Sequence, residues 1–259
     1  AGGVNVGADA ARGDVLVLLN QDTLVEPGWL DALLDGVRAD GDGARFGIAG
    51  ATILAADGAL DHAGAFVRRP DAEGIHVTTP PAESAPRAVD YVTGAVMAIT
   101  RRTWDAVGRF DEGYYPAYYE DCDYCYRATS RGIRTAYVPA ARVVHLRDGA
   151  RRPRDPIRVA ADHHFVRYRF VAKHWDAAAL AEFFAAEATT LAADADFPRV
   201  VGRVLAARAL GRRLDDVLAS RARDLDVAPS PGRRTQLQLG LATLVRGAMT
   251  AAESVAGGV

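Results

Sequence analysis

Residues Val15 to Leu19, VLVLL, form a short unbroken run of branched apolar side chains, and the chain turns polar immediately afterwards, at Asn20, Gln21, Asp22 and Thr23. A run of this length and composition reads as a strand buried on both faces in a largely parallel sheet. Pro27 then leads into GWLDALLDGVRAD, where Trp29, Leu30, Leu33, Leu34 and Val37 recur at helical spacing and the proline suits a first helical turn. Strand, polar loop and helix make one α/β unit. In open α/β sheets, ligands sit just past the carboxyl ends of the strands, which draws attention to Asn20 and Asp22.

From Ala44 to Ile99 the text becomes short β-rich pieces, FGIAGATIL, GAFV, GIHVTT and VDYVTGAVMAIT, separated by Gly, Pro and Asp turns. Helix is expected at RRTWDAVG and again in YYEDCDYCYR, Tyr118 to Arg127, closing on Gly132. Two more strands, TAYVP and ARVVHL, precede the basic loop RDGARRPRDPIR, and the α/β part is expected to end near Asp148. Beyond Arg158 the chain is Ala-rich and helical, in two long pieces, then an APSPG break and a last helix. The organisation expected is an α/β domain over 1–150 and an α-helical extension over 151–259. The extension carries apolar residues on one face and arginines on the other. It can pack on the sheet domain, form a homodimer or lie on a membrane surface, and packing or dimerisation is favoured because amphipathic helices mostly face a core.

A chain of 259 residues can bury a sizeable core without disulfides. The formal charge of −2, with basic residues spread along the chain, points away from nucleic acid as a partner. The two cysteines suit a reducing compartment, so the cytoplasm is expected, the inner face of the membrane included. No apolar run approaches the roughly 18–20 residues of a membrane span, and the chain reads as soluble. It begins with Ala1 inside the glycine-rich phrase AGGVNVGADAARGD, which reads as a cut within a longer polypeptide.

Taken singly, the residues that could carry chemistry each have a plain structural reading. Asp22 can help to hold a hard cation such as Mg²⁺ or Mn²⁺ beside Asn20, or can cap the following helix. His145, at the end of ARVVHL, is either a second metal ligand or a hydrogen-bonded histidine at a strand end. Glu120 and Asp121 fall where a helix should start after Pro116, and acidic residues in a first turn are favoured by the helix dipole. Asp123 and Arg127 have i,i+4 ion-pair spacing. Cys122 and Cys125 have the spacing of redox and zinc motifs, but zinc needs four ligands and an acidic, tyrosine-rich helix should raise thiol pKa values. Gly2, Gly3 and Gly7 lack a preceding strand and make no dinucleotide fingerprint, although they let backbone approach a ligand closely.

In order and spacing, GGVNVGADAARGDVLVLLNQDT, GAVMAITRRTWDAVGRFDEGYYPAYYEDCDYCYR and GIRTAYVPAARVVH resemble glycosyltransferase family 2, inverting sugar transferases of GT-A fold, and its rhamnosyltransferase-like members in particular. The resemblance runs from about Gly2 to His145. It implies a GT-A-like (Rossmann-like) mixed sheet, N-terminally truncated by two βα units that carry the nucleobase-binding acid, followed by the helical region. It implies a nucleotide-diphosphate sugar, UDP- or dTDP-linked, as donor and a cell-envelope glycan or lipid-linked molecule as acceptor. By the same resemblance Asp22 is the last acid of a metal motif in which Asn20 replaces the more usual carboxylate, His145 is a further ligand to a divalent cation, and Gly3, Asn5, Asn20 and Asp22 form the donor side. Asp121 is the general base with Glu120 beside it, and Gly94, Ala95 and Tyr118 lie on the acceptor side. The competing expectation is a non-catalytic, truncated transferase-like scaffold or acceptor-binding module.

Overall fold

The computed structural model describes residues 1–40, 43–44, 46–79, 85–146 and 155–256. The expected α/β boundary near Asp148 and most of the basic loop after it lie outside the described residues. The chain forms two compact units. One comprises Ala1–Val67, Gly74–Gly113 and Glu120–Arg151, and the other Arg68–Glu73, Tyr114–Tyr119 and Arg152–Val259.

The first unit opens with helix α1 (Gly2–Ala10), then strands β1 (Val15–Leu19) and β2 (Thr23–Val25), helix α2 (Trp29–Asp35), and two two-residue strands, β3 (Ala39–Asp40) and β4 (Gly43–Ala44). It continues through β5 (Ile48–Ala55), β6 (Leu60–His62), β7 (Ala65–Val67), β8 (Gly74–His76), β9 (Arg87–Val89) and β10 (Val96–Thr100), then α3 (Arg101–Val107), α4 (Glu120–Thr129) and β11 (Thr135–His145). Seven strands make a mixed sheet in the order β1-β10-β5-β11-β2, with β6 on β5 and β9 on β11; β7 and β8 form a separate hairpin.

Pairing differs from the largely parallel sheet expected around VLVLL. The parallel pair of this sheet is β5 with β11, and β1 is an edge strand, antiparallel to β10, with Leu16 buried and Leu19 exposed. Its apolar run is thus half-covered; β5 is the strand buried on both faces, from Ile48 through Ile53. Leu33 of α2 and nearby Val37 pack on Ala49, Ala51, Ile53, Val138 and Val143, which is the core of this unit. The two strands expected at TAYVP and ARVVHL are one, β11. Its register against β5 shifts between Val138 and Arg142, so that a bulge absorbs Pro139, which has no amide to give to the ladder.

The glycine-rich start is the helix α1. Asn5 anchors it: Nδ2 donates to the Phe110 carbonyl and to Glu112 Oε1, at 3.0 and 2.8 Å, and Oδ1 accepts from the Phe110 amide at 2.8 Å. In α4 the Asp123–Arg127 pair forms at 2.8 Å with both side chains buried, and Arg127 also donates to the carbonyls of Val107 and Arg109. Gly132, at φ 75°, lets the chain leave α4 with Ile133 N–H returning to the Ala128 carbonyl.

The second unit contains α5 (Pro156–His174), α6 (Ala177–Ala193), α7 (Phe197–Arg212), α8 (Leu214–Leu225) and α9 (Pro231–Ala256). Each long helical piece expected from sequence is therefore two helices. Asp176 ends the first by capping α6, its carboxylate accepting from Ala179 N–H, and Arg213 takes a non-helical φ of −114° between α7 and α8. The arginines do not all face outward as expected. Arg167, Arg169, Arg203 and Lys173 are buried, with Arg167 on Glu187 at 2.6 Å, Arg203 on Asp194 at 2.7 Å and Lys173 on Asp224 at 2.7 Å. Buried cations persist only where such partners compensate their lost hydration. Among the described residues, no helix is long and apolar enough to cross a membrane.

Candidate active site at the strand ends

Two groups of polar side chains meet at one dipeptide in the sheet unit. Past the end of β1, the Asn20 amide donates to the Ala95 carbonyl at 2.9 Å, and one residue earlier the Gly94 amide donates to Asp121 Oδ2 at 3.0 Å. Gly94 and Ala95, expected on the acceptor side, are therefore the backbone link between the Asn20 turn and the start of α4.

On the first side, β2 pairs antiparallel with β11 so that Thr23 stands opposite His145. This register places His145 Nε2 3.1 Å from Asp22 Oδ1 and 3.4 Å from Asn20 Nδ2, and the Leu146 amide closes the turn on the Asp22 carbonyl. Asp22 and His145 are half-buried and Asn20 is exposed, so the group faces out from the sheet end. Among the described residues no cluster of three or more His, Cys, Asp or Glu side chains could hold a metal ion. Asp22 and His145 together fit a cation of the Mg²⁺ or Mn²⁺ kind, which is commonly bound by one or two protein groups and completed by substrate phosphates.

On the second side, Asp121 lies in the first turn of α4, half-buried, with Oδ1 accepting from the Cys122 amide at 2.8 Å and Oδ2 from Gly94. Burial raises its pKa above the ordinary carboxylate value; the two amides and the positive charge available to His76 pull it back part of the way. A carboxylate so balanced is a better proton acceptor than an exposed aspartate while remaining oriented. Glu120 precedes it, half-buried.

Other expected residues sit elsewhere. Asn5 is 1% exposed and its side-chain amide is committed to Phe110 and Glu112. Gly3 is on the solvent side of α1 with nothing within 4 Å of where a Cβ would stand, so no close approach requires a glycine there. Tyr118 belongs to the helical unit, is exposed, and has left-handed backbone, φ 79°. Cys122 and Cys125 are buried, and burial lifts both thiols, Cys125 to about 12, which removes thiolate chemistry at neutral pH.

A histidine pair was missed from sequence. His62 of β6 and His76 of β8 face each other Nδ1 to Nδ1 at 3.2 Å, and His76 is the one whose charge reaches Asp121. The local signal was slight, one histidine in each of two short strands 14 residues apart.

Comparison with known proteins adds the following. The sequence model of the family described as "Glycosyltransferase like family 2" matches residues 1–161. N-acetylglucosaminyl-diphospho-decaprenol L-rhamnosyltransferase of Mycobacterium tuberculosis is 30% identical over 174 residues, 61% of this chain and 55% of that protein. Rhamnosyltransferase WbbL of Escherichia coli (strain K12) is 38% identical over 74 residues, 28% of each chain. The chain thus spans about half the length, or less, of these curated relatives. A solved structure, GalNAc-T7 with UDP, GalNAc and Mn²⁺, superposes with a TM-score of 0.54 at 17% identity, over 85% of this chain and 42% of that one, which establishes likeness of fold.

Proposed function

Because the chain belongs to glycosyltransferase-like family 2 and has the GT-A type of mixed sheet, we propose that it is an inverting glycosyltransferase with Asp121 as general base. It moves a sugar from a UDP- or dTDP-linked donor to a cell-envelope glycan or lipid-linked acceptor. The observation that carries the reading is the position of Asp121: a carboxylate with raised pKa, aimed by the Gly94 amide and joined through Ala95 to the Asn20, Asp22 and His145 group.

The reaction is one displacement. Asp121 accepts the proton of the acceptor hydroxyl as that oxygen attacks the anomeric carbon opposite the leaving diphosphate. The carbon–oxygen bond to the diphosphate breaks with its electron pair going to the departing phosphate oxygen, and the configuration inverts. Glu120 orients the acceptor beside the base. Asp22 and His145 would hold a divalent cation, with Asn20 at the edge of that group, and the cation when bound neutralises charge on the diphosphate. Tyr118 offers an exposed ring for the acceptor. The transferase's place of work is the cytoplasm, at the inner membrane face where a lipid-linked acceptor presents its head.

The test is Asp121→Asn, an isosteric change, assayed with UDP- and dTDP-sugars and Mn²⁺. Loss of the base should lower kcat by roughly 10²–10⁴, with the circular dichroism spectrum unchanged. In the parent protein kcat/KM should fall as pH is lowered through the Asp121 pKa, because only the ionised carboxylate accepts a proton, and that fall should begin above the ordinary carboxylate range. Undiminished transfer by Asp121→Asn removes Asp121 from the reaction.

A further inference from the structure

We infer that His76 is the cationic partner that keeps Asp121 ionised, and that the buried His62 is the residue that positions it. The inference rests on the reading of Asp121 as the base, and every group in it belongs to the sheet unit.

Backbone pairing carries His76 to the segment that holds the base. His76 stands opposite Ala65 across the β7–β8 hairpin, and Ala65 exchanges both backbone hydrogen bonds with Tyr91, at 3.1 and 3.2 Å. Three residues after Tyr91, the Gly94 amide donates to Asp121 Oδ2. A second tie lies one residue before Tyr91: Asp90 Oδ2 accepts from the Val67 amide of β7 at 3.1 Å and from the Tyr126 hydroxyl of α4 at 3.2 Å. Residues 90–94 therefore clamp the hairpin and the helix of Asp121 together. Gly74 lets β8 close on this segment, since a Cβ there would collide with Tyr91 Oη.

The two imidazoles meet Nδ1 to Nδ1 at 3.2 Å with ring centroids 4.7 Å apart, and the Tyr91 ring lies 6.1 Å from that of His76. His62 is buried and His76 is exposed. Burial keeps His62 neutral down to about pH 3, so a positive charge on the pair sits on His76. A neutral imidazole has one nitrogen that donates and one that accepts. Among the described residues His62 Nε2 has no hydrogen-bond partner, so no other bond fixes which of its nitrogens carries the proton. His62 Nδ1 can therefore accept from a protonated His76 or donate to a neutral one, and it holds the His76 ring in both charge states.

The consequence is read at the carboxylate. A positive charge nearby favours the ionised form of an acid, and His76 acts on Asp121 in that sense, with the Gly94 and Cys122 amides and against burial. Other titratable groups on the packed elements are Asp90 and Tyr91 of the clamp and Glu120, Asp123 and the two cysteines of α4; Asp61 adjoins His62, and Arg87 donates to the Ala63 carbonyl. Asp123 is paired with Arg127, and both thiols keep their protons. Histidine is the side chain whose unperturbed charge change falls between pH 5 and 8. Burial takes His62 out of that range, which leaves His76 to add or withdraw charge beside the base.

The experiment compares the parent protein with His76→Gln, His76→Lys and His62→Leu, all in the complete chain, by carbon-13 NMR titration of the Asp121 carboxyl and by the pH profile of kcat/KM. In His76→Gln the Asp121 midpoint should move up by roughly 0.5–1 pH unit, the effect of one partly solvated charge withdrawn from a carboxylate. His76→Lys keeps a positive charge and should return most of that shift, which a merely structural role for the ring would not do. His62→Leu should move the midpoint in the same direction by less, because the ring it held is released. The acid limb of kcat/KM should follow the carbon-13 midpoint in each protein. The carbon-13 titration needs no turnover, so it decides the role of His76 even if Asp121→Asn retains transfer and the base reading fails. A folded His76→Gln with the Asp121 midpoint of the parent, or equal shifts in His76→Gln and His76→Lys, overturns the inference; a His62→Leu midpoint equal to the parent's removes His62 as the positioning residue.

Discussion

Residue by residue, burial decides which ionisable groups matter. His62 is 1% exposed, and burial first, then the neighbouring His76, lowers its pKa to about 3. A base whose folded pKa lies below its unfolded value of about 6.5 stabilises the fold only while neutral. Its contribution is complete above the unfolded pKa and is lost as pH falls toward 3, a loss of a few kcal/mol. His62→Leu should therefore flatten the decline of stability between about pH 6 and pH 4, measured as urea midpoints across that range; parallel declines in the two proteins would refute it. Asp121 shows the opposite case, an acid held near the protein surface whose pKa burial raises and backbone amides moderate. Spacing alone assigned Asp123 to its pair: Arg127 stands four residues on, and the two form a buried ion pair. It could not show the partners of Asn5, because a buried amide satisfied by residues 105 and 107 positions away leaves no mark on its neighbours in the chain.

At the level of elements, local pattern marked where most helices and strands lie, and pairing was what it could not supply. RRTWDAV is helical, and so is the expected YYEDCDYCYR stretch from Glu120 onward. VLVLL is a strand, yet whether a five-residue apolar run sits at the centre or the edge of a sheet depends on strands far away in sequence, here β10. The central place belongs to β5, where close packing has left room for no side chain at Gly50: a Cβ there would lie 2.4 Å from Val92 Cβ and 2.6 Å from its Cγ1. Gly50→Ala should destabilise the protein by about 1–3 kcal/mol through overpacking of a strand that cannot move. A urea midpoint equal to the parent's would show that Val92 yields instead.

For the whole molecule, the helical unit is built around buried charge. Glu187 takes Arg167 at 2.6 Å and the Tyr168 hydroxyl at 2.5 Å, and Arg203 Nε lies 3.1 Å away. Removing one partner of such a group costs more than the group contributes, since the desolvated charge left behind has lost its compensation. Glu187→Ala should lower stability by about 3–5 kcal/mol, seen by thermal denaturation, and an unchanged midpoint would mean that Asp194 and Glu73 suffice for the two arginines. The amphipathic pattern of these helices was legible; the inward arginines were not, because periodicity assigns charge to the solvent side unless the acid that meets it can be seen.

What the sequence by itself determined is local: where α4 starts, why Asp123 and Arg127 pair, and which family's motifs the chain carries in order. These depend on residues within a turn or two of one another, or on a linear string. Tertiary structure alone decided that His145 meets Asp22, 123 residues away, that the Gly94 amide aims Asp121, and that Tyr119 rests on Ala72. Each is one contact chosen from many by strand register and packing, and the free energy that selects it is spread over the whole sheet or helix core rather than written in either partner.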